Sequence, residues 1–549
     1  MKLNKIERLK KRFSPYAYRE RIHELDLYNL SEDDRFYLKN YGIYNIKLNE
    51  EQFMLRIRIA AGRITLKQLQ LIIEIAKRYD LELLITARAQ LELHGLSSSN
   101  VIKVWELLAQ EKMLTLQTLT DNFRNIVTDP YDGVDIESKI ETYDLIEQMQ
   151  NIFLNKSEWM GTLPRKFNTA ICGTLSNSVH FFGNDLFFAL AKKGEDWGFN
   201  LYLGGKNSAV AQDADIFILP QNVSLMFESV AKAYKVYGLR GSRSKTRLFH
   251  LLETIGIEEF VKKISQFYPE KMESKGQLVL DKNAPSNYQV LKDGSYGYCY
   301  QSRFGAIDLE TWERLLSFAI DKKLQIRFGV DQNLYFLGLK EKSVPFNSLL
   351  GASHVTACAG SHYCALSLWD IKSETSYLPL KKIEKYNIHI GFSGCLKGCG
   401  RHYHCDIGLV GLRTNTYGKT QKAARVYLGG IYSRPGVAAR LIFPVVPLQH
   451  LAALIEKMIE SYIKSDMEDF ESFSETCLNK FSTEFLMMWF LTSLYLKEEI
   501  YLEPCSEEKL YHKLEQYPDF LSFPKDDKYM QSINIMKHAL WDDDTIHTS

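Results

Sequence analysis

Four of the nine cysteines lie in two tight pairs within a stretch of 42 residues. Cys358 and Cys364 form a C-x5-C pair in CAGSHYC, and Cys395 and Cys399 form a C-x3-C pair in CLKGC. Four thiolates in this arrangement suit a [4Fe–4S] cluster or a structural zinc ion. Zinc loops usually separate their cysteines by fewer residues than the first pair does, so the spacing favours the cluster.

Glycines surround the second pair, at Gly391, Gly394, Gly398 and Gly400. Four unrelated buried cysteines would pack well as small apolar side chains, but they would not require these glycines. We interpret the glycines as positions where the backbone approaches a bulky group. The other five cysteines lie outside the paired motifs, and we interpret them as structural: Cys172, Cys299, Cys405, Cys477 and Cys505.

The paired motifs, the second of them within GFSGCLKGCG, resemble the siroheme/[4Fe–4S] motif of the nitrite and sulfite reductase family. The resemblance covers roughly residues 45–460. It implies two cofactors, siroheme and a [4Fe–4S] cluster, and four metal ligands: Cys358, Cys364, Cys395 and Cys399. It also implies that Cys399 bridges the cluster to the siroheme iron. The family usually shows C-P-N-[ST]-C where this chain has CLKGC, which places a lysine beside the cluster.

Three segments resemble the anion-binding motifs of the same family. Arg88 stands in TARAQLELHG, Arg124 in DNFRN, and Arg165, Lys166 and Asn168 in LPRKFN. Siroheme carries eight carboxylates and the substrate is an oxyanion, so such a site needs many fixed cations. The resemblance implies a catalytic set that lines the distal pocket and binds the anion: Arg88, Arg124, Lys166 and Asn168.

A fourth segment, RGSRSKTR, also matches the family. The resemblance implies a basic set that contacts the cofactor carboxylates or holds the two halves together: Arg165, Arg240, Arg243, Lys245 and Arg247. Ala89 and Glu92 depart from the pattern, because the family usually has Gln at these positions.

The Lys166-Phe167-Asn168 triplet bears on the substrate. Within the resemblance, sulfite reductases typically have K-x-K at this point and assimilatory nitrite reductases have K-x-N. Removing one cation a few ångströms from the anion forfeits up to about 4 kcal/mol at an effective dielectric constant near 20. A sulfite dianion loses more than a nitrite monoanion. The triplet therefore favours the reduction of nitrite to ammonia, with the reduction of sulfite to sulfide as the alternative.

Two other classes of protein could carry the same cysteines without catalysing this reaction. A non-catalytic iron–sulfur or zinc protein has no need for LPRKFN, Arg88 or Arg124. An oxygen-using relative in corrin biosynthesis would lack the full anion-binding set. His402 and His404 follow the second cysteine pair; they could donate protons, but we favour plain surface positions.

The electrons must come from another protein, because no strand is followed by the G-x-G-x-x-G fingerprint of a dinucleotide-binding fold. The resemblance implies ferredoxin or a similar small carrier, and a separate flavoprotein subunit is the alternative. Ferredoxins are acidic, so we expect a basic docking surface.

The elements that position these residues show an internal repeat. The segment 53–96 matches the segment 296–339 at a constant offset of 243, with Gly62 and Gly305 among the identical pairs. Each copy predicts a strand, a glycine turn, a helix and two strands. Arg88 in the first copy corresponds in sequence to Asp331 in the second, as expected if one of two ancestral sites stays active.

The repeat continues more loosely beyond these segments. FNTAI at 167–171 resembles YNIHI at 386–390, at an offset of 219, and LYLGG at 201–205 resembles VYLGG at 426–430, at an offset of 225. We therefore predict a mixed α/β (α+β) fold, internally duplicated with a pseudo-twofold relation. The family resemblance adds ferredoxin-like half-domains to this prediction.

The composition agrees with a folded chain: 549 residues are 45% hydrophobic and 25% charged, with a net charge of +1. This balance indicates neither a nucleic acid nor an acidic membrane surface as a partner. The basic N-terminus lacks an apolar run, so we expect a solvated first helix rather than a secretion signal. The apolar stretch 485–496 is too short to span a membrane and predicts a buried helix. We expect a soluble, cytoplasmic monomer.

Five segments are predicted along the chain. Residues 1–45 form an N-terminal extension, and residues 46–130 with 290–345 form the paired half-domains. Residues 131–289 form the siroheme- and anion-binding domain of the first repeat. Residues 346–465 form the cluster domain of the second repeat, and residues 466–549 form a helical C-terminal extension.

Overall fold

The computed structural model describes residues 3–46, 51–175, 180–280, 287–346, 354–417, 420–523 and 529–542. It divides the chain into two compact units. The first takes residues 1–348 with 433–435, and the second takes residues 349–432 and 436–549. The finer boundaries predicted within each unit stay predictions.

The first half-domain is a four-stranded antiparallel sheet with two helices. Its strands, in the order β1-β2-β5-β4, are β1 (Ile43–Asn45), β2 (Gln52–Ile57), β5 (Leu91–Ser97) and β4 (Glu82–Ile85). The helices are α3 (Leu66–Tyr79) and α4 (Val101–Gln110). Helix α3 buries Leu69, Ile72, Ile73, Ile75 and Ala76, an apolar face with helical spacing.

The second half-domain repeats this arrangement. Its strands, in the order β12-β13-β15-β14-β3, are β12 (Tyr288–Val290), β13 (Tyr296–Tyr300), β15 (Leu334–Leu339), β14 (Gln325–Phe328) and β3 (Arg63–Ile64). Helix α9 (Leu309–Lys322) corresponds to α3, and both of its ends lie 243 positions later. The predicted duplication is thus confirmed, element by element.

The helix caps repeat at the same offset. Thr65 and Asp308 cap the N-termini of α3 and α9 by accepting a hydrogen bond from a backbone N–H of the first turn. Asp80 and Lys323 end the same helices in the left-handed region, with φ of 52° and 55°. Local capping chemistry therefore sets both helix lengths.

The two half-domains exchange short strand pairings across a pseudo-twofold relation. Arg63 of the first copy pairs with Arg327 of the second. Leu84 of the first copy pairs with Ala306 of the second. Ala306 lies 243 positions after Arg63, and Arg327 lies 243 positions after Leu84. A reciprocal exchange of this kind is the signature of two copies related by a twofold axis.

A third sheet completes the α/β part of the first unit. Its strands, in the order β10-β9-β8-β7-β6, are β10 (Gln212–Ile218), β9 (Asp196–Leu203), β8 (Leu186–Lys193), β7 (Phe167–Cys172) and β6 (Phe123–Val127), and β11 (Gln277–Leu278) pairs with β8. The strands β6, β7 and β8 run parallel, and the remaining pairs are antiparallel. The accompanying helices are α5 (Tyr143–Phe153), α6 (Val223–Tyr237), α7 (Leu248–Ile255) and α8 (Ile257–Ile264).

The N-terminal extension packs into the first unit. It contains α1 (Lys5–Arg12) and α2 (Glu32–Leu38). Leu9 and Tyr37 belong to the same buried cluster as the half-domain strands. The expectation of a solvated first helix is wrong in part, because Glu7 and Leu9 of α1 are buried.

The second unit contains a five-stranded sheet of the same strand order and sense as the third sheet. Its strands are β16 (Val355–Ala357), β17 (Ile390–Ser393), β18 (Ile407–Thr414), β19 (Gln421–Leu428) and β20 (Arg440–Pro447). β16, β17 and β18 run parallel and the rest antiparallel. Helices α10 (Leu380–Lys385) and α11 (Leu448–Lys464) accompany the sheet.

The strand registers correct one of the looser repeat matches. Leu203 pairs with Leu186, the first residue of β8, and Leu428 pairs with Ile407, the first residue of β18. This correspondence confirms the offset of 225. Thr169 of β7 also pairs with Leu186, and Ile390 of β17 also pairs with Ile407. The offset between β7 and β17 is therefore 221 instead of 219. A shift by two keeps each side chain on its face of the sheet, so the apolar pattern alone did not expose the error.

The C-terminal extension is helical, as predicted. Its helices are α12 (Phe470–Thr476), α13 (Thr483–Leu496), α14 (Glu507–Leu514), α15 (Pro518–Leu521) and α16 (Met530–Trp541). Helix α13 is the predicted buried helix; it buries an unbroken run from Phe485 to Ser493 and packs against α11, α16 and β20. Among the described residues, no helix has the length and apolar character to cross a membrane.

Candidate cofactor and anion site

Both cysteine pairs follow neighbouring strands of the second unit. Cys358 comes directly after β16, and Cys395 comes two residues after β17. The two strands are parallel partners, so their carboxyl ends meet at one edge of the sheet. The fold therefore brings the two halves of the cysteine motif together, although 36 residues separate Cys358 from Gly394 in the second loop.

The four thiols lie close enough to influence one another. Cys358, Cys364 and Cys395 are half-buried, and Cys399 is exposed. Burial, and then the Cys399 thiol, raise the pKa of Cys358 to about 11. Burial first, and then Cys399 and Cys364 among its neighbours, raise the pKa of Cys395. Bound iron would overcome this cost, because a coordinating metal deprotonates a thiol.

Four cysteine thiolates are the usual ligand set of a [4Fe–4S] cluster. Within the described ranges, no group of three or more His, Cys, Asp or Glu side chains is placed to hold a metal ion. The backbone N–H of Gly394 donates a hydrogen bond to Cys358 Sγ at 3.2 Å, so the loop also supplies a polar partner for sulfur. Such hydrogen bonds tune the reduction potential of a cluster.

The glycines of the second loop have a different role from the predicted one. A Cβ on Gly394 would lie 1.8 Å from Ser367 Oγ, and a Cβ on Gly400 would lie 2.1 Å from the carbonyl oxygen of Phe392. The bulky neighbour is therefore the protein itself. These glycines let the two cysteine loops pack closely against each other and against β17.

The histidines after the second pair are buried, so the expectation of surface positions is wrong. His402 and His404 are each 0% exposed, and Cys405 is fully buried beside them. Burial, and then His404, lower the pKa of His402 to about 3, so its imidazole is neutral at physiological pH. His402 Nδ1 lies 3.0 Å from Ser393 Oγ, at the end of β17.

The predicted catalytic residues lie in the first unit, on three segments. Arg88 occupies the turn between β4 and β5, at the position that Asp331 takes between β14 and β15. Its Nη2 donates to Asn184 Oδ1 at 2.8 Å. Its carbonyl oxygen accepts a hydrogen bond from Asn125 Nδ2 at 3.0 Å, which ties this turn to β6.

Arg124 stands near the start of β6, and its guanidinium binds main-chain carbonyls of the preceding loop. It donates to the carbonyl oxygen of Thr118 and, at 3.0 Å, to that of Thr120. Burial, followed by Arg56 and Arg165, lowers the pKa of Arg124 well below its ordinary value. Burial and the neighbouring guanidinium groups both disfavour the charge of Arg124, and a bound anion would offset that cost.

Asn168 lies in β7, next to Lys166 and Phe167. It is 3% exposed, and its backbone N–H donates to Asp185 Oδ2 at 2.8 Å. In the part of the chain that the structure describes, its buried Oδ1 has no hydrogen-bond partner. A buried amide with spare hydrogen-bonding capacity suits a polar ligand or cofactor group.

A cavity of about 520 Å³ in the first unit gathers several of the predicted cations. Arg124, Arg165, Lys166 and Arg243 line it, and Lys5, Arg35 and Lys39 of the N-terminal extension line its other side. Glu32 is the carboxylate among its described lining residues. We call this space the cationic cavity.

Five other predicted residues, Asn168 among them, do not line the cationic cavity. Arg240 pairs with Glu7 Oε2 at 2.5 Å and donates to two main-chain carbonyls. Arg247 forms a bidentate pair with Asp185, at 2.9 and 2.7 Å, and is buried. Lys245 is exposed, and Arg88 lies at the turn described above.

Sequence reasoning missed the carboxylates that hold these cations. Asp121 is fully buried and accepts two hydrogen bonds from Arg243, at 2.6 and 2.5 Å. Lys10 also contacts Asp121, at 2.7 Å. Asp121 stands within the DNFRN segment and could have been considered, but Lys10 is one of several basic residues with no distinguishing pattern.

The fold and the thiol loops define an iron–sulfur protein on a duplicated α/β scaffold. The model of the nitrite and sulphite reductase 4Fe-4S domain matches residues 119–272 and 371–471. The nitrite/sulfite reductase ferredoxin-like half domain matches residues 46–111. Together they match more than half of the 549 residues, and the chain belongs to the nitrite and sulphite reductase family.

Several relatives are similar over most of the chain. The ferredoxin–nitrite reductase of Leptolyngbya laminosa is 25% identical over 492 residues, which are 83% of this chain and 96% of the relative. The chloroplastic ferredoxin–nitrite reductase of Arabidopsis thaliana is 27% identical over 453 residues, 74% and 76% of the two chains. The structure of Mycobacterium tuberculosis NirA superposes with a TM-score of 0.80 at 20% identity, covering 88% of this chain and 97% of NirA, and shows the shared fold.

Family membership confirms the predicted enzyme class, an oxidoreductase. Siroheme and a [4Fe–4S] cluster are the cofactors of this family, so the cofactor prediction is confirmed as well. The thiol loops of the second unit and the buried cations of the first unit have the donor chemistry that these two groups require. The assignment of individual residues to them stays a proposal.

Proposed function

We propose that this chain reduces nitrite to ammonia with six electrons from reduced ferredoxin. The balanced reaction consumes one nitrite, six electrons and eight protons and releases one ammonium ion and two water molecules. The relatives named as ferredoxin–nitrite reductases support this choice, since the chain covers 96% of one of them. The cationic cavity is the observation that carries the proposal.

The cavity residues act as anion-binding groups. Arg124 and Lys166 attract nitrite and offset the charge that builds on its oxygens as the N–O bonds break. Because the guanidinium of Arg124 is fixed by Thr118 and Thr120, it needs no reorganisation during the reaction. Arg88 does not line the cavity; held by Asn184, it is proposed as a second oriented guanidinium for the anion. Lys166 or a water bound beside it delivers protons to the substrate oxygen.

The remaining basic residues hold the cofactor. Two roles are proposed for this set, contact with the siroheme carboxylates or holding the two halves together: Arg165, Arg240, Arg243, Lys245 and Arg247. Of these five, Arg165 and Arg243 have the strongest support, since both line the cationic cavity. Arg240 and Arg247 already bind Glu7 and Asp185, which favours the second role for them.

The four paired cysteines hold the cluster. Cys358, Cys364 and Cys395 are half-buried, whereas Cys399 is exposed and can reach a second group. This difference supports Cys399 as the ligand shared with siroheme. When bound, siroheme and the cluster would supply the one-electron reductions, and reduced ferredoxin would re-reduce them. The monomeric state and the cytoplasmic location stay predictions.

Turnover with reduced methyl viologen tests the proposal against the sulfite alternative. Purified protein that carries both cofactors is given nitrite or sulfite under the same conditions, and ammonia and sulfide are measured. We expect a higher kcat/KM for nitrite. A higher value for sulfite would contradict the interpretation of Asn168, and a protein without a haem-type absorption band would contradict the enzyme assignment.

Electron delivery is tested separately. Reduced ferredoxin should support nitrite reduction at low ionic strength, and the rate should fall as salt screens the complex. A reduced flavoprotein that sustains the rate where ferredoxin does not would replace ferredoxin as the proposed donor.

A further inference from the structure

A chain of alternating charges connects helix α1 to the cationic cavity. Arg240 Nη1 lies 2.5 Å from Glu7 Oε2, and Lys10 Nζ lies 2.6 Å from Glu7 Oε1. Lys10 Nζ also lies 2.7 Å from Asp121 Oδ2, and the carboxylate of Asp121 accepts both terminal nitrogens of Arg243. The sign of charge therefore alternates at every step from Arg240 to Arg243.

The central members of this chain are removed from water. The side chains of Glu7, Lys10 and Asp121 are 6%, 7% and 0% exposed. Lys10 Nζ also donates to the carbonyl oxygen of Leu163 at 2.6 Å. An ammonium group has three donors, and Glu7, Asp121 and Leu163 supply one acceptor for each. A desolvated cation with three fixed partners holds those partners in place.

Two of the partners belong to segments that carry cavity residues. Leu163 lies two residues before Arg165, and Asp121 lies three residues before Arg124. Arg165 Nη1 is 3.6 Å from Asp121 Oδ1, a looser contact than those of Lys10 and Arg243. Because Lys10 and Arg243 already neutralise Asp121, Arg165 is left at this distance, where it lines the cavity.

We propose that Lys10 is a positioning residue for the anion site. Through Asp121 and Leu163 it sets where Arg165 and Arg243 stand relative to the carboxylates of the bound cofactor. Helix α1 then helps to position the cations of the cofactor site, instead of being only a solvated N-terminal helix. The inference rests on the proposed function in so far as those carboxylates belong to siroheme.

The variant Lys10→Met tests this in the full-length protein with both cofactors. We expect the ratio of Soret absorbance to protein to fall at least fivefold after prolonged dialysis. Lys11→Met, at an exposed position of the same helix, is the matched control and should retain siroheme like the unmodified protein. Lys10→Arg restores the charge and should recover part of the retention.

A double-variant comparison separates positioning from a general loss of stability. In an Arg165→Met/Arg243→Met background, Lys10→Met should cause at most a twofold further loss of siroheme, since both groups through which it acts are gone. The same fivefold loss in both backgrounds, in step with a lowered Tm, would overturn the proposal.

Chemical modification tests the same contact without the cofactor. Without Lys10, Arg165 moves towards Asp121, and its modification by phenylglyoxal, followed by mass spectrometry, should slow at least threefold relative to Lys11→Met. An unchanged rate overturns the positioning role. If the protein binds no siroheme and reduces neither anion, the proposed function fails, and the phenylglyoxal result still decides the role of Lys10.

Discussion

Arg63 lies directly opposite Arg327 in the ladder that joins the two half-domains, and both guanidinium groups bind Asp132. Arg63 Nη2 is 3.0 Å from Asp132 Oδ2, and Arg327 Nη1 is 2.7 Å from its carbonyl oxygen. Like charges opposite each other destabilise a sheet unless a counter-charge intervenes. The Asp132 carboxylate supplies a buried counter-charge to Arg63, and Glu141 Oε1 binds the same guanidinium at 3.0 Å.

The first prediction concerns this carboxylate. Asp132→Asn should lower the free energy of unfolding by about 3 kcal/mol, because it removes the buried carboxylate that Arg63 binds at 3.0 Å. Urea unfolding followed by circular dichroism measures the loss. Glu195→Gln is the control, since the Glu195 side chain is 99% exposed, and it should change the stability by less than about 0.5 kcal/mol. Equal losses in both variants would contradict the role of Asp132.

The second prediction concerns Glu92, which accepts hydrogen bonds from Arg56 and lies 2.9 Å from His94 Nε2. Burial by itself would raise the pKa of Glu92, but Arg56 and then His94 outweigh it and lower the pKa to about 2. The folded-state pKa lies below the ordinary value, so the stabilisation is present above about pH 4.5 and is lost as the pH falls towards 2. The full effect is on the order of 3 kcal/mol.

Glu92→Gln, which installs the residue that the family usually has, should remove this acid-sensitive contribution. Unfolding free energies measured between pH 3 and pH 7 should fall more steeply with acid for the unmodified protein than for the variant. Parallel curves would show that Glu92 is not held ionised by Arg56.

The third prediction concerns the packing of the cysteine loops. Gly394→Ala should reduce cluster content by more than half, because its Cβ would lie 1.8 Å from Ser367 Oγ. Ser367→Gly removes that atom, so the double variant should regain most of the bound iron. Iron and acid-labile sulfide per chain are the measurements, and a double variant no better than Gly394→Ala would contradict this account.

The fourth prediction concerns the shared ligand. Cys399→Ser should abolish the coupled absorption spectrum of cluster and siroheme and reduce nitrite turnover at least a hundredfold. Cys505→Ser, outside the paired motifs, should leave spectrum and turnover unchanged. A Cys399→Ser protein with normal spectra would remove Cys399 from the ligand set.

The fifth prediction concerns substrate preference. Asn168→Lys places a second cation beside Lys166 and should raise the ratio of kcat/KM for sulfite to that for nitrite about tenfold, which corresponds to about 1.4 kcal/mol. The dianion gains more from the added charge than the monoanion does. Asn168→Ala, which adds no charge, is the matched control; if it shifts the ratio as far, charge is not the cause.

The sequence alone was sufficient for features that arise from local chemistry or from repetition. Thr65 and Asp308 are residue types that favour the N-cap of a helix. Identical residues 243 positions apart, such as Gly62 and Gly305, made the duplication detectable. The cysteine spacing indicated the cofactor class in the same way. The two-residue error in the alignment of β7 with β17 shows the limit, since an apolar alternation repeats every second residue.

Only the tertiary structure decided which partners the charged and buried residues have. Lys10 meets Asp121, and Glu7 meets Arg240 from 233 positions away, although nothing in the basic N-terminus marks these residues as buried. The polar composition of its segment predicts a surface position for His402, but in the structure His402 is buried and its imidazole is neutral. The physical reason is that periodicity reports the face of an element, whereas burial and ion pairing depend on which distant element covers that face.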